Sequence, residues 1–366
     1  MKSKNQTVIP KWSLTLYFPT CWLLSTKTCE RSSRSQNVSQ NCPNLSKDKM
    51  DIDLDYAHIY KTLNSDVKRG FFRKSNRGCG SSDAFACVSK NLAAQECSDL
   101  AAVFLLGKAK CESAANNTLA EASSLFTAAR HFLQAEDKLD RINAVSYGEN
   151  LDCSTMCLLR AAKIYESGEL FTLAASVYTY LSDSLMHRRR WCEAIPHLKR
   201  LSEILGRDLV CHLQVLYKMV RCQLRLRDWP GALTTCLRMQ VLLENTDCDS
   251  CFVELRSHYW TTTEVLRVIL VLLTTPPHKL TTLLQSAYSL DSYIEDIGLG
   301  GELTQFNALD ERIFLYLQSL ILAYRAGDIV EVEMTLGTLQ SFLDLEQRDL
   351  VQPLLDEITN PLANMT

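Results

Sequence analysis

One piece of helical grammar recurs in this chain at a fixed interval, and that interval limits the folds open to it. The stretches "RRWCEAIPHL", from Arg189, and "RDWPGALTTCL", from Arg227, align at Trp191/Trp229, Ala194/Ala232 and Ile195/Leu233, a separation of 38 positions. Self-similarity at such a period marks stacked supersecondary units, because one hairpin cannot bury its apolar face without a neighbour. Between the two copies, "LVCHLQVLYKMVRCQLRL" supplies an intervening helix. Upstream, Leu151, Met156 or Cys157, Leu158, Ala161, Ala162 and Tyr165 recur at three-to-four spacing, the signature of one buried helical stripe. "SGE" then breaks the pattern, with Gly168 the expected left-handed helix stop. Phe171, Ala174, Ala175, Val177, Tyr178 and Leu181 open the next stripe.

Helix starts near 151, 170, 191, 209 and 229 therefore fall about 20 residues apart, and each antiparallel pair takes about 38 to 40. Tyrosine and glycine end the first helix and small alanines line the second, as in tetratricopeptide repeats. The fold expected is all-α: a tetratricopeptide-like, right-handed superhelical α-solenoid of antiparallel helix pairs. Tyr165, Tyr178, Trp191, Tyr217 and Trp229 are expected to fill gaps between helices. Pro230 suits a helix's first turn, whereas Pro196 falls inside a helix and is expected to kink it.

The same grammar extends outward. A first helix ends near "VKRGFF", with Leu54, Ile59, Leu63 and Val67 on its apolar side. Others are expected near 82–95, capped by Ser82 and Asp83, near 97–115, and near 118–140, opened by a capping box of Thr118 and Glu121. Downstream, helices are expected near 251–273, 277–296, 305–326 and 328–344, with Gly327 a stop, and a last one reaching about 358. Residues 1–49 read as a disordered polar leader, 51–244 as N-terminal helical repeats, 245–250 as a short polar linker, and 251–360 as further repeats of the same solenoid. The leader's lysines and apolar run imitate a signal peptide, but Pro19 and three threonines interrupt the run and no small-x-small site follows.

Composition excludes little but points one way. With 46% apolar and 22% charged residues and a formal charge of −3 over 366 residues, the chain has neither the charge excess of disorder nor the basic excess of a dedicated nucleic-acid binder. Fifteen cysteines are odd in number and scattered. Cys87, Cys97, Cys111, Cys153, Cys157, Cys192, Cys211, Cys222 and Cys236 lie in apolar helical patterns, which suits buried thiols in a reducing compartment. Cys248 and Cys251 form one C-x-x-C without a second pair to complete a zinc site. "VLRVILVLL", Val265 to Leu273, is far shorter than the roughly 20 residues a membrane span needs and contains Arg267. No phosphate loop, dinucleotide fingerprint, zinc-protease helix or nucleophile elbow occurs. A non-catalytic scaffold without cofactor or metal is the expectation.

Two basic clusters stand out as binding candidates. "VKRGFFRKSNRG" sets Lys68, Arg69, Arg73, Lys74 and Arg77 around Phe71 and Phe72, and "RRR" places Arg188, Arg189 and Arg190 together. Lys68 and Arg69 suit the negative end of the first helix. Arg73, Lys74 and Arg77 are not required by helix-ending chemistry.

"YKTLNSDVKRGFFRKSN", "LAAQECSDLAAVFLLGKAKC", "LFTAARHFLQAEDKLDRINAVSYGENL", "VLRVILVLLTTPPHKL" and "FLYLQSLILAYRAGD" resemble, in order and spacing, segments of the huntingtin-associated protein family encoded within an intron of factor VIII. The resemblance spans nearly all of 51–360, and where it covers "VKRGFFRKSNRG" it implies a protein-docking loop at the first hairpin rather than a nucleic-acid or lipid site. It departs from the vertebrate pattern in its polar leader and in having only "ENTDCDS" where a proline-rich insertion stands. It implies an all-helical partner of huntingtin, a heterodimer packed between huntingtin's helical-repeat domains and stabilising it. It further implies a link through an early-endosomal Rab GTPase to vesicle motility, a cytoplasmic and early-endosomal location with some nuclear presence, and no membrane span. A vesicle-fusion adaptor resembling the soluble NSF attachment proteins is the alternative reading.

Overall fold

The computed structural model describes residues 55–72, 78–245, 253–275, 290, 293 and 309–359, with the backbone alone at 66–72 and 78–79. The leader, residues 246–250 of the expected linker, the Cys248/Cys251 pair and all but Leu290 and Tyr293 of the helix expected near 277–296 lie outside them. Among the described residues every regular element is a helix. The chain divides at Leu170/Phe171 into two compact units.

The first unit runs α1 (Tyr56–Phe72), α2 (Gly78–Ala94), α3 (Ser98–Ala114), α4 (Thr118–Arg141) and α5 (Glu149–Ser167), each packed on the next. Close approach is allowed by alanine pairs: Ala101 and Ala102, Ala128 and Ala129, and Ala161 and Ala162 are all fully buried. The N-terminal core is aromatic. Tyr60 sits edge-on to both Phe85 and Phe104, at 5.5 and 5.6 Å between ring centroids, and Ile59 and Leu63 pack on the same cluster as expected. Gly107 makes room for it, since a Cβ there would run into the Phe85 ring.

The second unit comprises α6 (Phe171–His187), α7 (Trp191–Ile204), α8 (Leu209–Arg225), α9 (Trp229–Glu244), α10 (Val253–Thr274), α11 (Glu311–Ala326), α12 (Ile329–Leu339), the single turn α13 (Leu345–Arg348) and α14 (Val351–Thr359). Helices α6 to α10 pack in chain order. The run Val265–Leu272 is buried throughout, as a core helix rather than a span; no described helix is long and apolar enough to cross a membrane.

One turn design closes most of these hairpins. After α2, the Glu96 amide donates to Ala93 O and the Cys97 amide to Leu92 O, at 3.0 and 2.8 Å. The same pair of reverse bonds ends α3, α4, α5, α6, α8 and α11. In each the residue making the shorter reach has positive φ: Glu96, Asn116, Asn143, Glu169, Arg189, Arg227 and Gly327. This is the Schellman motif, which returns orphan carbonyls to amides. At three of these turns the next helix starts at once, capped by the side chain of Asn117, Asp228 or Asp328.

Several local expectations change here. Gly168 keeps φ −90°, and its neighbour Glu169 is left-handed at +57°; Gly327, by contrast, is the stop foreseen. The capping box at Thr118 does not form, because Asn117 one residue earlier is the cap and Glu121 is buried against Arg160 of α5. Ser82 lies inside α2, where its hydroxyl donates to Glu112 of α3 at 2.5 Å. Pro196 lies inside α7, as its position in the sequence implies, and is exposed. Of the aromatics expected as filler only Tyr178 is fully buried; Tyr165, Trp191, Tyr217 and Trp229 are half-buried.

Candidate partner-binding surface

The expected cluster of Arg188, Arg189 and Arg190 forms the turn between α6 and α7. Its three side chains are treated differently by the fold. Arg188 Nη1 donates to Ser184 O at 3.2 Å, and Arg190, at the N-cap, reaches Glu193 at 2.5 Å. Arg189, the left-handed residue, is exposed and makes no side-chain hydrogen bond or ion pair among the described residues. Of the other cluster, Lys68, Arg69, Phe71 and Phe72 contribute backbone to the last turns of α1, while Arg73, Lys74 and Arg77 lie outside the described residues.

The repeat supplies a second copy of this turn. Arg227 is also left-handed, exposed and without a side-chain partner among the described residues, and Asp228 and Trp229 follow it as Arg190 and Trp191 follow Arg189. The 38-residue repeat pairs the two segments in sequence, but Arg227 stands without the adjacent cations that mark Arg188–Arg190. Helices α6 and α8 each pack on α7 across a short turn, and Lys218 Nζ of α8 meets Asp183 of α6 at 2.6 Å. Two consecutive hairpins return the chain to the same end, so the C-terminal turns of α6 and α8 lie at one end of the unit.

Helix α8 continues as a polar ladder. Arg221 pairs with Glu346 and Arg225 with Asp349, both at 2.6 Å, and Tyr217 OH donates to Asp344 at 2.9 Å. An acidic turn from far along the chain is therefore docked on α8, where a simple stack would have only sequential neighbours. The turn is itself held by a capping box, Asp344 with Gln347, and Gln347 donates to Thr262 O of α10 at 3.2 Å. Beside it opens a cleft whose lining includes Leu224, Trp229, Leu350 and Pro353 together with Arg225 and Arg227.

Behind this surface lies a buried charge network. Glu264 accepts from Arg267 Nη2 at 2.6 Å and Nε at 2.9 Å, from Tyr293 OH at 2.8 Å and from Gln240 at 2.5 Å. Burial alone would raise the Glu264 carboxyl, but the bonds and charge of Arg267, then Tyr293 and Gln240, outweigh it and hold its pKa below the ordinary value. Tyr293 in turn stacks on Phe314 of α11 at 5.2 Å.

Groups that could carry chemistry are turned to structure. Ser202 and His212 lie 2.9 Å apart, but both are buried, and Arg238 approaches the same imidazole nitrogen at 3.4 Å. Burial and that guanidinium lower the His212 pKa, which suits a neutral ring accepting bonds. Burial likewise pushes the thiols up, Cys157 and Cys236 to about 12, so they stay protonated and poorly nucleophilic. The nine cysteines whose side chains are described are free; against the expectation of buried thiols, four are buried, four are half-buried and Cys192 is exposed. Among the described residues no three potential ligands gather as a metal site.

No protein-family model matches the chain. It is similar to the 40-kDa huntingtin-associated protein of Rattus norvegicus, 25% identical over 362 residues that cover 84% of this chain and 93% of that protein. To its counterpart in Mus musculus it is 26% identical over 358 residues, with the same coverage of both chains. The resemblance read from short segments thus holds along nearly whole chains.

Proposed function

We propose that this protein is a non-catalytic huntingtin-binding subunit. The observation that carries the reading is collinearity: similarity to two proteins named for association with huntingtin runs through 84% of this chain and 93% of theirs. The all-helical stacking supports it physically, since packed hairpins offer extended faces rather than a closed pocket. In this reading the chain packs between huntingtin's helical-repeat domains as a heterodimer, burying well above the ~1,600 Å² of a standard interface and sharing stability with its partner. A role at early endosomes through a Rab GTPase, and in vesicle motility, is the finer part of the proposal and rests on the family resemblance alone. Tagged chain recovered from native cytosol should co-elute with huntingtin at one-to-one stoichiometry. Elution as a free monomer with no huntingtin in the fraction overturns the reading. The endosomal part is tested separately, by asking whether the recovered complex retains a Rab GTPase in its GTP-bound form and loses it in the GDP-bound form.

A further inference from the structure

We propose that the end of the second unit formed by the turns 188–190 and 226–228 is a docking edge for an acidic, leucine-bearing segment of a protein partner. Arg189 and Arg227 occupy equivalent positions of the repeat, at φ +58° and +56°. Arginine has no preference for that conformation, where glycine or asparagine would be less strained. The same turn elsewhere uses Glu96, Asn116, Asn143, Glu169 and Gly327, so no one side chain is required there. Folding therefore does not call for arginine at either site, yet both project a guanidinium into solvent with no described partner.

Charge accounting at the cleft points to the ligand. Its two carboxylates, Glu346 and Asp349, are each engaged by an arginine of α8, Arg221 and Arg225. Arg227 is left as the uncompensated charge of the lining, beside the apolar side chains of Trp229, Leu224, Leu350 and Pro353. A carboxylate can take a guanidinium in a bidentate pair while an adjacent leucine side chain enters the cleft. Tryptophan and arginine are also the side chains on which interface energy concentrates. A nucleic-acid backbone fits less well: two guanidiniums do not make a basic stripe, and further phosphates would meet Glu346 and Asp349.

The turn geometry provides a variant in which folding and binding should move in opposite directions. Arg189→Gly/Arg227→Gly relieves the backbone while removing both guanidiniums, so its unfolding temperature should hold or rise. The probe is a short fluorescent peptide of alternating glutamate and leucine, read by anisotropy against the full chain. We expect saturable, salt-sensitive binding to the wild type, weakened about tenfold or more in the double variant, a loss of at least ~1.4 kcal/mol. Equal binding by both proteins, no binding by the wild type, or tighter binding of an oligothymidylate of matched charge each overturns the proposal. Because the probe is not huntingtin, the outcome is independent of whether huntingtin is the partner.

Discussion

Removing Arg267 should strand a carboxylate in the core of the second unit. In Arg267→Met, Glu264 loses two of its four hydrogen bonds and the only cation bonded to it among the described residues, while Tyr293 and Gln240 remain. Breaking a buried ion pair from one side costs about 3–5 kcal/mol, because the remaining charge is neither solvated nor paired. At ~2–4 °C per kcal/mol for a domain of this size, that is a fall of ~6–20 °C in unfolding temperature. The pH dependence carries a sign. In the wild type the folded-state pKa of Glu264 is depressed, so its contribution is present above the unfolded carboxyl pKa and is lost as pH falls through the folded value. In the variant desolvation acts with less opposition, the folded pKa rises, and the deficit should shrink on acidification as Glu264 takes up a proton. Glu264→Gln/Arg267→Met removes the stranded charge and should recover much of the loss. Calorimetry across pH checks all three statements. A single variant costing under ~1 kcal/mol, or a double variant no more stable than the single, would refute the reasoning.

Other expectations are read by the same methods. Glu169→Gly should stabilise by ~0.5–1 kcal/mol, since relief of a left-handed non-glycine residue exceeds the extra freedom glycine gains on unfolding; denaturant titration measures it, and destabilisation counts against the turn assignment. Gly107→Ala should destabilise by ~1 kcal/mol despite better helix propensity, because the Phe85 ring is boxed in by Tyr60 and Phe104; a gain in stability would mean that the ring yields. Among the nine described cysteines, a water-soluble thiol reagent at neutral pH should modify Cys192 first and Cys157 and Cys236 last, as mass spectrometry of timed digests would show.

The fold class was legible because helical periodicity and alanine pairs are local signals, readable within one hairpin. The interval from Trp191 to Trp229 even carried the repeat of the arginine turn, although its meaning emerged only with the backbone conformation. What failed was choice between neighbours. Asn117 and Thr118 are both good caps, and Glu121 satisfies Thr118's motif on paper, but its carboxylate is drawn to Arg160, 39 positions away. Gly168 and Glu169 differ by one step in the turn, and hydrogen bonding to the carbonyls of Tyr165 and Glu166 decides which of them is left-handed. The contact of Asp344, Glu346 and Asp349 with α8 was invisible for a different reason. Ordinary acidic residues near a C-terminus carry no mark of a partner more than a hundred positions earlier.

The tight hairpin turns bear on which length changes the chain can accept. At Arg227–Asp228 the last reverse bond of α8 and the cap of α9 fall on one residue, so no slack separates them. An inserted or deleted residue there would rotate everything downstream by about 100° about the helix axis and turn an alanine seam toward water. The span from Ile142 to Gly148 has room that these turns lack, and Val145 and Tyr147 already stand 82% and 88% exposed on it. Descendants of this sequence should therefore gain and lose residues at that loop while the hairpin turns keep their count.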